Sequence, residues 1–257
     1  MILPAIATLL AGGSAYMVYS IYRHEQRSLK VGSVAVKEED VQNPSFQAVV
    51  DNYVYIHNAF RNHLKSIRMA CERGQDISGE LRKWVDILNL HSRVEDELLI
   101  PALQARLKNN EEKTIPANIL SGKDHDEVKE HIESIFAMDE DKKAMIHKLK
   151  DLEIVLDQHL VHEEKYVMPL MMEAFSTREL WALDSFIINP KLGYCDNDML
   201  MTVTKWWFGN LSIKEWWPLL KNFVAAGNQP PMSLEDWKKI QDIIPALSKF
   251  PTEDLIP

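Results

Sequence analysis

The chain has 257 residues, 46% apolar and 26% charged, which suits a folded protein and not a disordered one. A net charge of -9 with no Lys/Arg cluster excludes a phosphate-backbone binder and leaves no case for a nucleic-acid partner. Two cysteines, Cys71 and Cys195, far apart and with no C-x-x-C pair, exclude a disulfide framework and a thiolate zinc site, so any metal must be held by His and carboxylate.

Residues 1–22 contain no charge and are followed by Arg23, His24, Arg27 and Lys30. At 1.5 Å per helical residue this stretch spans a bilayer core of about 30 Å. Tyr16, Tyr19 and Tyr22 lie where an interfacial belt belongs, and Ala7, Ala11 and Ala15 form a small-residue stripe. The reading is an N-terminal membrane helix in a single-pass membrane protein, with the basic flank placing the bulk of the chain on the cytoplasmic side. The alternative is a signal peptide, cleaved near Gly13-Ser14-Ala15, that leaves a secreted or lumenal protein. Residues 23–45 are polar and mixed in charge, and read as a tether.

From Phe46 the apolar residues take helical spacing. Phe46, Val49, Tyr53, His57, Phe60 and Leu64 share one face. A second helix over 78–103 aligns Leu81, Trp84, Leu88, His91, Glu95, Leu98 and Ala102; a third aligns His125, Val128, Ile132 and Ile135. The fourth, over 148–175, aligns Leu152, Val155, His159, Glu163, Tyr166 and Leu170. The segment 46–175 therefore predicts an all-α, up-down-up-down four-helix bundle.

The four seam histidines, His57, His91, His125 and His159, are each separated by 34 residues. One long helix plus its connection fills that interval, so a single level of the bundle is revisited once per helix. A tetratricopeptide repeat has the same period but fits two helices into it, and is rejected. Above this lies a 68-residue repeat: His57 maps to His125, His63 to His131, Leu88 to Leu156, His91 to His159, Glu95 to Glu163 and Pro101 to Pro169. Even Asp96 and Glu164 agree in charge.

A His and a Glu four residues apart lie on one helical face and reach a common point. Two such helices and two lone histidines offer four nitrogen donors and two carboxylates, a set that suits iron, manganese or zinc. The bland alternative is a metal-free network of His and Glu pairs, against which stands the several kcal/mol that each unpaired buried carboxylate costs.

At Ile56-His57-Asn58-Ala59-Phe60-Arg61, His91-Ser-Arg-Val-Glu95-Asp-Glu-Leu-Leu-Ile-Pro101, Asp124-His125-Asp126-Glu127-Val128, and His159-Leu-Val-His-Glu163-Glu164 with Met168-Pro169-Leu170, the sequence resembles the haemerythrin and HHE cation-binding family. The resemblance implies a non-haem di-iron centre that binds oxygen, peroxide or nitric oxide, or senses iron and oxygen. It would place His57 and His91 on one of two iron ions and His125 and His159 on the other, with Glu95 and Glu163 bridging. Oxygen-carrying haemerythrins have a second His one turn after the third-helix ligand, where this chain has Lys129; the loss favours reactive or sensing iron over oxygen storage. Glu127 or Glu130 could supply the missing ligand, or Lys129 could be exposed.

His63 and His131 read as surface or interhelical groups, Asp96 and Glu164 as solvated or as supports behind the ligands, and Tyr53 and Tyr166 as core residues that either pack or donate a hydrogen bond to a bound ligand. Residues 176–257 read as a Trp-rich helical extension, with capping boxes at Ser176-x-x-Glu179 and Ser212-x-x-Glu215 and six of the seven tryptophans. Trp206-Trp207 and Trp216-Trp217 either pack onto the bundle or contact a protein partner or a membrane surface. No nucleophile–base pair or cofactor fingerprint points to a specific reaction.

Overall fold

A computed structural model describes residues 48–108, 114–138, 141–175 and 196–212, with positions 179, 180, 183, 187, 214, 215, 219 and 238. The described residues are helical, with no strand among them. They form α1 (Ala48–Glu72), α2 (Ser78–Val94), α3 (Ile100–Leu107), α4 (Ala117–Leu120), α5 (Lys123–Phe136), α6 (Lys142–His162), α7 (Met168–Ala174) and α8 (Asn197–Gly209). α1 packs between α2 and α6, and α6 packs against α5. These are three of the four neighbour pairs of an up-down-up-down bundle, and the described part is consistent with a helical bundle.

The helices begin and end where the chemistry dictates. α1 closes on Gly74, whose φ of 78° is the left-handed geometry of a helix C-terminus. α6 starts six residues earlier than the periodicity indicates, because Asp141 caps it by accepting from the backbone N–H of Lys143 and Ala144. α8 opens the same way on Asp196.

α2 and α3 form one continuous rod interrupted by a π-helical turn over Glu95–Leu99, and α6 and α7 repeat the arrangement over Glu163–Val167. Ile100 N–H bonds to Glu95 O, and Met168 N–H to Glu163 O, one residue further than in an α-helix. Pro101 and Pro169 explain it: each lacks an N–H, and its ring collides with the carbonyl four residues back. The extra residue delays the helical phase. Val167 and Met171 therefore face the core, while Tyr166, placed on the seam by simple periodicity, is 39% exposed and lies beneath the Lys165 ammonium.

The core is split in two. One cluster gathers Tyr53, Val94, Leu98, Leu99, Leu103, Val167, Met168 and Met171. The other holds Phe60, Leu64, Trp84, Leu88, Val128, Ile132, Leu152, Leu156 and Leu160, with Trp206 from α8. On α1 the division falls between Tyr53 and Ala59, on α2 between Leu88 and Val94, and on α6 between Leu160 and Val167. His57, His91 and Glu163 fall within those intervals, and Glu95 and His159 border them.

The expected single-pass membrane location is corrected. Among the described residues no helix is long and apolar enough to cross a membrane. The longest, α1 and α6, carry Arg61, Lys65 and Arg68, and Lys148, Asp151, Glu153 and Asp157, on their outer faces. The N-terminal membrane helix itself was placed on residues 1–22, which lie outside the described residues, as does the tether over 23–45. Trp181, Trp216, Trp217, Trp237 and the capping box at Ser176 also lie outside them.

Of the extension, Trp206 is buried against α1. The Ser212 N–H donates to Glu215 Oε2 at 2.8 Å, one half of the second capping box, while the Ser212 hydroxyl donates to the same oxygen at 2.6 Å and the Glu215 N–H bonds to Ser212 O at 2.9 Å. Asn58 Nδ2 donates to Glu215 Oε1 (2.9 Å) and Asn62 Nδ2 to Asn210 O (2.9 Å), docking this part of the chain on α1.

Candidate metal centre

Four helices bring all six expected residues to one layer. His57 comes from α1, His91 from α2, His125 from α5 and His159 from α6, while Glu95 and Glu163 are the first residues of the two π-helical turns. His57 is fully buried, and His91, Glu95, His159 and Glu163 are nearly so. The rings pair: His57 and His91 have centroids 5.2 Å apart, and His125 and His159 4.7 Å.

Each carboxylate turns one oxygen toward each histidine pair. Glu95 Oε1 is 3.1 Å from His91 Nε2, and its Oε2 is 3.3 Å from His125 Nε2. Glu163 Oε2 is 3.4 Å from His57 Nε2, and its Oε1 is 3.6 Å from His159 Nε2 and 3.9 Å from His125 Nε2. The donors fall into two groups that could hold a metal ion, His57, His91, Glu95, Glu163 and Glu95, His125, His159, Glu163, with ligand atoms within 4.8 Å of one another in each. The glutamates are common to both.

These contacts are close but not aligned as hydrogen bonds. The Nε2 atoms of all four histidines, both oxygens of Glu95 and Oε2 of Glu163 are buried without a hydrogen-bond partner. Orphaned polar atoms cost about 1–3 kcal/mol each, and native cores avoid them. Here they converge, and a cation at each point of convergence would satisfy them. The residues fit a metal pair.

The electrostatics agree. Burial lowers His57 to about 4, against the pull of its Glu164 hydrogen bond, and lowers His159 to about 3. Both are neutral imidazoles with a free lone pair at ordinary pH, the form a metal needs. Burial acts the same way on His125, but the Asp96 and Glu95 carboxylates beside it push it up to about 11. Burial and the charge of Glu95 raise Glu163 well above the usual carboxylate range, whereas His91 and His125 outweigh burial at Glu95 and hold it well below.

The outer groups differ from simple expectation. Glu164 is not solvated: its Oε1 is bonded to His57 Nδ1 (3.0 Å) and accepts from Arg61 Nη1 (2.6 Å). Asp96 holds His125 Nδ1 at 3.1 Å. Both follow directly after the glutamates of the repeat, and their matched charge was the signal for this role. Tyr53 is in the core, its ring 5.4 Å from His57 and 5.7 Å from His91. Lys129, Glu127 and Glu130 are exposed on α5 and add nothing to the layer. His63 is interhelical and buried, not superficial.

The chain is similar to two BRUTUS-like zinc finger proteins of Arabidopsis thaliana, 30% identical over 146 and over 149 residues. Each match covers 49% of this chain and 11% of the relative, so the chain spans about a tenth of the length of the curated relatives it matches. No family model matches the chain, and no solved structure matches it.

Proposed function

We propose that the layer of four histidines and two glutamates holds two iron ions, and that the protein is a non-haem di-iron protein binding or reacting with oxygen or a related small ligand such as peroxide or nitric oxide. The observation that carries this reading is the convergence of seven buried, unpartnered donor atoms on two points that share Glu95 and Glu163. Nitrogen and carboxylate donors without thiolate suit iron, manganese or zinc, and the resemblance to the haemerythrin and HHE family selects iron.

His57 and His91 would hold one ion, His125 and His159 the other. Bound there, the pair supplies a redox-active centre able to take a small exogenous ligand. The chain's own residues prepare the place: burial keeps His57 and His159 unprotonated, and the two apolar clusters close the layer from above and below against bulk water. The exposed Lys129 leaves two histidines for each ion, which favours ligand reaction or sensing over storage.

A second reading, metal sensing, rests on how the extension is docked. Phe60 lies between the centre and α8, its ring 5.2 Å from His91 and 4.7 Å from Trp206. Metal occupancy would then stabilise the bundle and the surface that α8 presents. Iron analysis after anaerobic ferrous loading tests the common core: about two ions per chain are expected, and a value near zero refutes it. An oxygen-dependent charge-transfer band that disappears in His91→Ala favours the reactive centre. Its absence, with unfolding on chelation, favours the sensor.

A further inference from the structure

The ligands themselves are nearly symmetric between the two halves; the groups behind them are not. On one side the His57 ring is fully enclosed, and its Nδ1 is fixed by Glu164 at 3.0 Å. The same Glu164 oxygen accepts from Arg61 Nη1 at 2.6 Å, and Arg61 Nε donates to Asp157 on α6 at 2.7 Å. Three successive contacts thus aim His57 Nε2 at the layer. On the other side the His125 side chain is 17% exposed, and Asp96, which holds its Nδ1, is 50% exposed. His159 Nδ1 is buried with no hydrogen-bond partner, so no hydrogen bond holds that ring from behind.

We infer that the two metal positions are unequal: the His57–His91 position fills first and holds its ion more tightly, and the His125–His159 position fills second and exchanges with solution. Glu164 is the positioning residue of the first and Asp96 of the second. The inference rests on the two-metal reading above. A ring already held in its coordinating orientation loses less freedom on binding, and a carboxylate behind it raises the donor strength of the facing nitrogen. An enclosed position also offers departing ions and incoming water no direct route, whereas the partly exposed His125 opens one.

The test uses the full chain with zinc(II) as a diamagnetic probe and follows the ring nitrogens of the four histidines by NMR. With one equivalent the His57 and His91 signals are expected to move, and those of His125 and His159 only with the second. In a two-step titration Glu164→Gln weakens the first step roughly 10- to 100-fold and spares the second, Glu164→Asp restores part of the loss, and Asp96→Asn weakens the second step alone. Should a variant not fold, the unsubstituted chain decides the matter by the order of its signals. Four rings moving together, or either variant weakening both steps alike, overturns the inequality, and two ions found by iron analysis would then leave the di-iron reading standing. No ring moving and no iron bound overturns both.

Discussion

Trp206 donates its indole N–H to His63 Nδ1 over 2.7 Å, joining two buried side chains 143 residues apart. The bond fixes the tautomer: Nδ1 accepts, and the ring proton lies on Nε2, which faces Glu80 Oε2 at 3.1 Å. Trp206→Phe keeps most of the packing against Phe60 but leaves His63 Nδ1 buried and unpartnered, at about 1–3 kcal/mol. Trp206→Ala adds a cavity and is expected to cost about 3–5 kcal/mol. Denaturant unfolding of the two variants measures both, and a Trp206→Phe chain as stable as the unsubstituted one would show that the hydrogen bond contributes nothing.

Shared and unshared ligands separate by stoichiometry. Glu95 and Glu163 each face both histidine pairs, so Glu95→Ala or Glu163→Ala is expected to reduce bound iron from about two to near zero. His57→Ala removes a donor from one group and is expected to leave about one ion per chain. Iron content after anaerobic loading and gel filtration reads the difference; an Ala at Glu95 that retains one full ion contradicts the sharing.

The chelated bundle has a predictable pH profile. Between about pH 4 and 6.5 the unfolded chain protonates His57 and His159, which burial keeps neutral in the folded chain down to about 4 and 3, so these rings make stability rise with pH across that window. Burial and the charge of Glu95 raise Glu163 above the usual carboxylate range, and this opposes part of the rise. Above 6.5 both rings are neutral in either state, and the folded chain retains on His125, up to about 11, a proton that the unfolded chain loses. Stability then falls as pH rises, giving a maximum near 6.5. Metal displaces that proton, so the alkaline decline is expected to vanish in the loaded protein. Chemical denaturation at a series of pH values, with and without metal, checks both limbs.

The ligand layer was legible because periodicity and spacing act together: four histidines at equal intervals and two His-x-x-x-Glu pairs on apolar faces leave little freedom in how the helices meet. The π-helical turns were not. Their cause, Pro101 and Pro169, was visible as part of the repeat, but a proline six residues past a core glutamate shifts the phase of everything after it, and simple 3.6-residue counting put Tyr166 inside instead of Val167. α8 was missed for another reason. Its tryptophans suggested packing, yet the start signal is a single Asp196 between turn-forming residues, and what it packs against is set by Phe60 and His63, more than 130 residues away. Glu164 reads as solvated from spacing alone, because its partners Arg61 and His57 stand on α1, more than 100 residues away.

Gly122 sets the start of α5 and so the place of His125 three residues later. Its φ of 67° is left-handed, and a Cβ built there meets nothing within 4 Å. Gly122→Ala therefore introduces no clash and isolates the backbone penalty, about 1–2 kcal/mol. Asn tolerates this conformation better, so Gly122→Asn should recover part of the loss. α5 carries His125 and packs chiefly on α6, so strain at its first turn bears on the placing of that ligand. Both variants should then weaken metal binding at the His125–His159 group in proportion to their thermal destabilisation. If Gly122→Ala unfolds like the unsubstituted chain, the left-handed turn is not what anchors α5.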